Sequence, residues 1–212
     1  MDLARPGNQS EIVHRERSSV QILVLIVLMS AVYAAGLYVT RGVVFIPGVT
    51  WFRPANMFSE LYGVNFGVWG ALACGIGNML NDLISGGFNL VTEIPVFPIE
   101  VIATGLIPYW IVTDPTLRST RGKIEWIVGV IILQGVLTGF GIAAVLVLTH
   151  TVPDTLFMSI GQTITLNEGL PAILAGVIQY ALFPQLYKMG LYMGRNLETS
   201  NAPADYVASL AS

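Results

Sequence analysis

Asn78, Asn81 and Asp82 close the apolar run Gly70–Leu83, GALACGIGNMLNDL. Spacings of three and four residues place all three side chains on one helical face. Glu93, Phe97, Glu100 and Thr104 repeat that spacing in the next apolar run. Later runs carry Gln134 with Thr138, Asn167 with Glu168, and Gln179. Carboxylates and amides so arranged can bind a polar solute, pass protons, or assist acid–base chemistry. The chain has no His-Glu-x-x-His, Gly-x-Ser-x-Gly, Walker loop or Cys-x-x-Cys, so the catalytic option has no motif behind it and a non-enzymatic role is expected. His14 and His150 fall at opposite ends of the expected topology, and Cys74 sits alone in an apolar run as a small packing residue. Neither a metal site nor a cofactor is expected.

The elements that must position these groups follow from composition. The 212 residues are 54% hydrophobic and 11% charged, against about 25% charged in an ordinary soluble domain. Mean hydropathy is +0.69. Too little polar surface remains to cover a water-soluble globule, so the sequence reads as an all-α integral membrane protein. The net charge of −3 is spread over 13 acids and 10 bases without a run of one sign, which excludes a nucleic-acid face.

A membrane helix needs about 20 mostly apolar residues. Val20–Thr40, Val68–Ser85, Ile94–Thr113, Ile124–Thr149 and Gly169–Tyr187 meet that need. Pro54–Tyr62, PANMFSELY, is a short helix that crosses only together with the preceding VVFIPGVTWF, and YGVNFG at Tyr62–Gly67 then turns the chain back. The expectation is six spans with both termini cytoplasmic in a cell (inner) membrane. Residues 1–19 form a polar cytoplasmic arm, 20–190 the membrane domain and 191–212 a cytoplasmic tail. Cytoplasmic segments collect Lys and Arg. Arg5, Arg15 and Arg17, then Arg118, Arg121 and Lys123, then Lys188 and Arg195 obey that rule, while His150–Glu168 holds no Lys or Arg and reads as an outer loop. Arg41 and Arg53 break the rule and become candidates for a solute contact.

With those directions, Asp82, Glu93, Glu100 and Glu168 converge on the outer half of the bundle. The acids at helix mouths also suit the headgroup zone and, for Glu93 and Glu168, the positive end of a helix dipole. Glu100, two turns deeper, is the strongest pocket residue. Candidate solute contacts are Asn78, Asn81, Asp82, Glu93, Phe97, Glu100, Gln134, Glu168, Gln179 and Arg53. Glu60 reads as interfacial on the cytoplasmic side. Gly135 and Gly139 read as internal packing, and Ala31 with Ala35 as a face that lets another helix approach closely.

The six-span pattern, Ala31-x-x-x-Ala35, and SELYGVNFGVWGALACGIGNMLNDL together resemble the substrate-binding S components of energy-coupling factor (ECF) transporters. LYGVNFG matches the family's turn between its second and third helices, and Gly77-Asn78 and Asn81-Asp82 match a Gly-Asn or Gly-Asp near the outer end. GLIPYWIV (Gly105–Val112) and QYALFPQLY (Gln179–Tyr187) are similar to the inner end of the fourth helix and to the sixth. The resemblance spans Val20–Arg195. It implies capture of a vitamin or related micronutrient from outside, docking of Ala31 and Ala35 on a membrane-embedded coupling subunit, and transport driven by two cytoplasmic ATPases. The chain lacks the Met-His-Ile-Pro start of the nickel and cobalt relatives, so a metal-ion solute is not expected. The arginines and acids suit an amphoteric or amine-bearing solute, with Trp51, Phe52, Phe97 and Trp110 available for stacking. Two alternatives remain open: an accessory or scaffold subunit that keeps the fold without a ligand, and an intramembrane enzyme or proton-coupled carrier using Asp82 and Glu100.

Overall fold

The computed structural model describes residues 17–40, 44–46 and 50–211. The N-terminal arm with His14, and Arg41 from the loop after the first helix, lie outside the described residues, as does the Trp51 side chain. Helix α1 spans Ser19–Thr40, and a two-stranded antiparallel ribbon follows, β1 Val44–Ile46 with β2 Thr50–Trp51. A single 3-10 turn, Pro54–Asn56, leads into α2, Met57–Ile84. Helices α3 (Leu90–Ile111), α4 (Thr120–Leu148) and α5 (Asp154–Lys188) complete the bundle, and a short α6, Ala204–Ala211, ends it. Among the described residues, α1, α3, α4 and α5 are long and apolar enough to cross a membrane.

Helix α2 is a hairpin. In an unbroken helix Ser59 and Cys74 would stand about 22 Å apart, at 1.5 Å per residue. Instead Cys74 Sγ is 3.6 Å from the Ser59 carbonyl oxygen. The reversal occurs at Gly67, whose φ of 57° and ψ of −133° belong to a region that side chains with a Cβ avoid. The short helix and turn expected from PANMFSELYGVNFG are therefore present, with limbs 57–66 and 68–84. Helix α3 crosses this hairpin at backbone contact: a Cβ on Gly63 would fall 2.2 Å from the Gly105 carbonyl oxygen, and one on Gly105 would fall 2.4 Å from Ala71.

Local chemistry explains the remaining boundaries. Asn89 Oδ1 accepts from Val91 N at 3.0 Å and caps α3. Ser119 Oγ accepts from Gly122 N at 3.0 Å and caps α4. Pro95 and Pro98 remove two backbone donors from α3, and the helix continues past them as a wider π-helical stretch over Glu100–Leu106. The loop between α3 and α4 is folded around Asp114, whose carboxylate accepts from Thr116 N (3.0 Å) and Ser119 N (2.8 Å).

The outer surface differs from that of a water-soluble protein. Tyr33 and Leu37 of α1 meet Tyr62, Phe66 and Cys74 of the hairpin, and Trp126 and Val130 of α4 meet Ala172 and Ala175 of α5. Outside, apolar side chains stand bare along every long helix, among them Val20, Leu23, Val27 and Val39 on α1 and Ile173 and Val177 on α5. An apolar belt over polar interior groups fits a bundle immersed in lipid.

Two expectations need correction. The run His150–Glu168 is not a long loop: α5 opens with a 3-10 turn at Asp154–Leu156 and is α-helical from Phe157, twelve positions before Gly169. Its Ser, Thr and Asn residues look loop-like in sequence, yet Ser159, Thr163 and Asn167 face the interior and Thr165 Oγ1 bonds back along the helix to the Gly161 carbonyl oxygen at 2.7 Å. Glu60 is not interfacial but fully buried, because the first limb of α2 lies inside the bundle. The segment after Lys188 packs back: Met193 N donates to Asn65 O at 2.7 Å, and Leu197 and Leu210 cover Phe183. Gly139, expected at an internal contact, is against α5, since a Cβ there would meet the Gly161 carbonyl oxygen at 2.5 Å.

Candidate functional site

Four helices each turn one stripe toward a common cavity of about 740 Å³. Asn78 and Asp82 come from α2, and Glu93, Val96 and Glu100 from α3. Ile142 and Leu146 come from α4, and α5 contributes residues from Leu156 through Ile160 and Ile164 to Glu168. Intervals of three, four and multiples of about 3.6 keep each stripe on one face. Tyr33 of α1 and Arg53 and Asn56 ahead of α2 complete the wall. Gly87, Asn89 and Thr151, in the connections at one end of the bundle, form the rim. Leu156 near that rim and Glu168 are twelve residues apart on α5, so the cavity reaches about 18 Å down.

Glu168 is held from two sides. Asn56 Nδ2 donates to Glu168 Oε1 at 2.6 Å and to the Asn167 carbonyl oxygen at 3.1 Å. Gln134 Nε2 donates to Glu168 Oε2 at 3.2 Å. Both side-chain oxygens thus act as acceptors. Glu93 and Glu100 are each 5% exposed, and Glu93 Oε2 has no hydrogen-bond partner among the described residues. Thr104 Oγ1 donates to the Glu100 backbone carbonyl, and Glu100 lines the cavity.

Of the ten expected solute contacts, Asn78, Asp82, Glu93, Glu100, Glu168 and Arg53 line the cavity. The other four do not. Asn81 stands behind Asp82, donating Nδ2 to Asp82 Oδ1 at 3.0 Å. Gln134 acts through Glu168. Phe97 turns aside to pack against Gly75, where a Cβ would lie 2.8 Å from its ring. Gln179 belongs to the opposite half of the bundle, paired with Asn65 at 2.6 and 3.1 Å and donating to the Pro115 carbonyl oxygen at 2.8 Å. Trp110 is 54% exposed on the outside of α3. Tyr33, Asn56, Ser159 and Thr163 line the site and were not anticipated. Ser159, Thr163 and Asn167 recur every fourth residue, and that spacing was the available signal.

No family model matches this chain, and neither a curated protein nor a solved structure matches it.

Away from the cavity, the loop after α3 and the end of α5 gather positive charge. Arg121 Nε pairs with Glu125 Oε1 at 2.8 Å, and Arg118 lies 3.6 Å over the Tyr180 ring and 4.7 Å from that of Tyr206. On α1, Ala31 and Ala35 are exposed at the middle of a continuous apolar face that runs from Val20 to Val39.

Proposed function

We propose that the chain is the membrane-embedded solute-binding subunit of an ECF-type importer, capturing a vitamin or related micronutrient for uptake driven by partner ATPases. The carrying observation is the cavity: stripes from four helices converge on about 740 Å³ of space, with Glu93, Glu100 and Glu168 on its wall. A pocket of that size suits a small molecule, and buried ionisable groups in a bundle of apolar helices mark function by default. A scaffold without a ligand would have no use for three interior carboxylates around a void.

In this reading six helices cross a cell membrane, counting the two limbs of α2 separately, and both termini are cytoplasmic. Arg118, Arg121, Lys123 and Lys188 lie at the end of the bundle away from the cavity rim, where the basic residues of cytoplasmic loops belong. The cavity then opens outward. The bare α1 face around Ala31 and Ala35 is where the membrane-embedded coupling subunit docks, since small side chains allow close helix approach.

Affinity purification of the tagged chain from its own membranes tests this assignment. A membrane coupling subunit and two ATPases should co-purify, and Ala31→Trp with Ala35→Trp should remove them without lowering the melting temperature of the isolated chain. Recovery of the chain without such partners, or partners retained by the double variant, would contradict it.

A further inference from the structure

The cavity walls are unlike one another. Asp82 of α2, Glu93 and Glu100 of α3 and Glu168 at the deep end of α5 are acidic, whereas Ile142 and Leu146 of α4 and Ile160 and Ile164, further toward the rim on α5, are apolar. Arg53 supplies the one cationic side chain among the described residues that line it. Four acidic side chains thus share a space of low polarity with a single guanidinium, so acidic groups outnumber basic ones on the lining. Glu168 is already satisfied by Asn56 and Gln134. Glu93 shares a side-chain hydrogen bond with Asp82, but it lines the cavity, is 5% exposed, and keeps Oε2 without a partner among the described residues. A buried acceptor in that state carries a desolvation cost that an incoming N–H donor would remove.

A bare metal ion does not fit. Among the described residues, no group of three acidic, histidine or cysteine side chains stands close enough to hold one. The isoleucine and leucine wall would gain nothing from an ion but would cover an apolar body.

We infer that the solute is an amphipathic organic cation, its protonated nitrogen bound between Glu93 and Glu100 and its apolar body against Ile142, Leu146, Ile160 and Ile164. This rests on the solute-binding reading above and narrows it to one charge class. Asp82, steadied by Asn81 and bonded to Glu93, adds another acid at the same end of the cavity, where it would draw a cation inward.

The full chain in detergent can be titrated with two charge-matched series: tryptamine, 3-methylindole and indole-3-acetate, then hexylamine, hexanol and hexanoate. Calorimetry and melting temperature read the binding. The amine of at least one series should bind at least about tenfold more tightly than its neutral and anionic matches, a difference of one charge-assisted contact. Glu100→Gln and Glu93→Gln should each remove about tenfold, while Glu100→Asp keeps the preference for the amine. Equal or tighter binding of the carboxylates, or amine binding untouched by both glutamine variants, overturns the charge assignment and leaves a solute-binding subunit in place. Absence of binding by every compound, with the folded state confirmed by an unchanged melt, overturns both.

Discussion

Asn56 and Glu168 stand 112 positions apart in the chain, and the Asn56 amide donates to the Glu168 carboxylate at 2.6 Å. This bond joins the entry of the α2 hairpin to the middle of α5 and fixes the deep end of the cavity. Asn56→Ala removes one of two amide donors to a carboxylate that is 5% exposed, so the unfolding free energy should fall by about 1–3 kcal/mol. Asn56→Asp sets a second acid against Glu168 and should cost more. Thermal melts of the purified variants check both, and an unchanged melt for Asn56→Asp would remove the bond from the account.

Gly67 tests the hairpin. Its backbone conformation excludes a Cβ without strain, so Gly67→Ala should destabilise the fold by about 1–3 kcal/mol. Ala is the better helix former by about 1 kcal/mol, so an unbroken helix through this position would be stabilised by the same change. The sign of the shift in melting temperature separates the two arrangements.

Gln179 and Glu100 should behave as opposites. Gln179→Ala breaks the pair with Asn65 and the bond to the Pro115 carbonyl, and stability should drop by about 1–3 kcal/mol with solute affinity unchanged. The amides of the lower bundle thus serve structure. A change in affinity without a change in melt would place Gln179 at the solute instead.

How far the sequence reveals this arrangement depends on the kind of signal. Long apolar runs mark α1, α3 and α4 to within a few residues, because lipid demands an apolar surface whatever the interior does. The turn at Gly67 is legible from its glycines and from the shortness of the limb before it. The start of α5 is not, since Ser159, Thr163 and Asn167 resemble loop residues until the cavity that they face is known. Phe97 misleads for a related reason. It shares a stripe with Glu93 and Glu100 in sequence, but Val96 holds the cavity position and Phe97 fills the space left by Gly75. Depth also escapes the pattern: Gln179 lies eleven residues, about 16 Å, along α5 from Glu168, on the side away from the rim.

Glu100 gives the most direct test of the central idea, that carboxylates turned inward from lipid form the seat of a solute. The small molecule that co-purifies with the chain, found by native mass spectrometry, should rebind the stripped protein. Glu100→Ala should weaken that rebinding at least about tenfold while the ligand-free melt stays within a few degrees of the parent. Undiminished affinity in a folded Glu100→Ala protein would contradict the site.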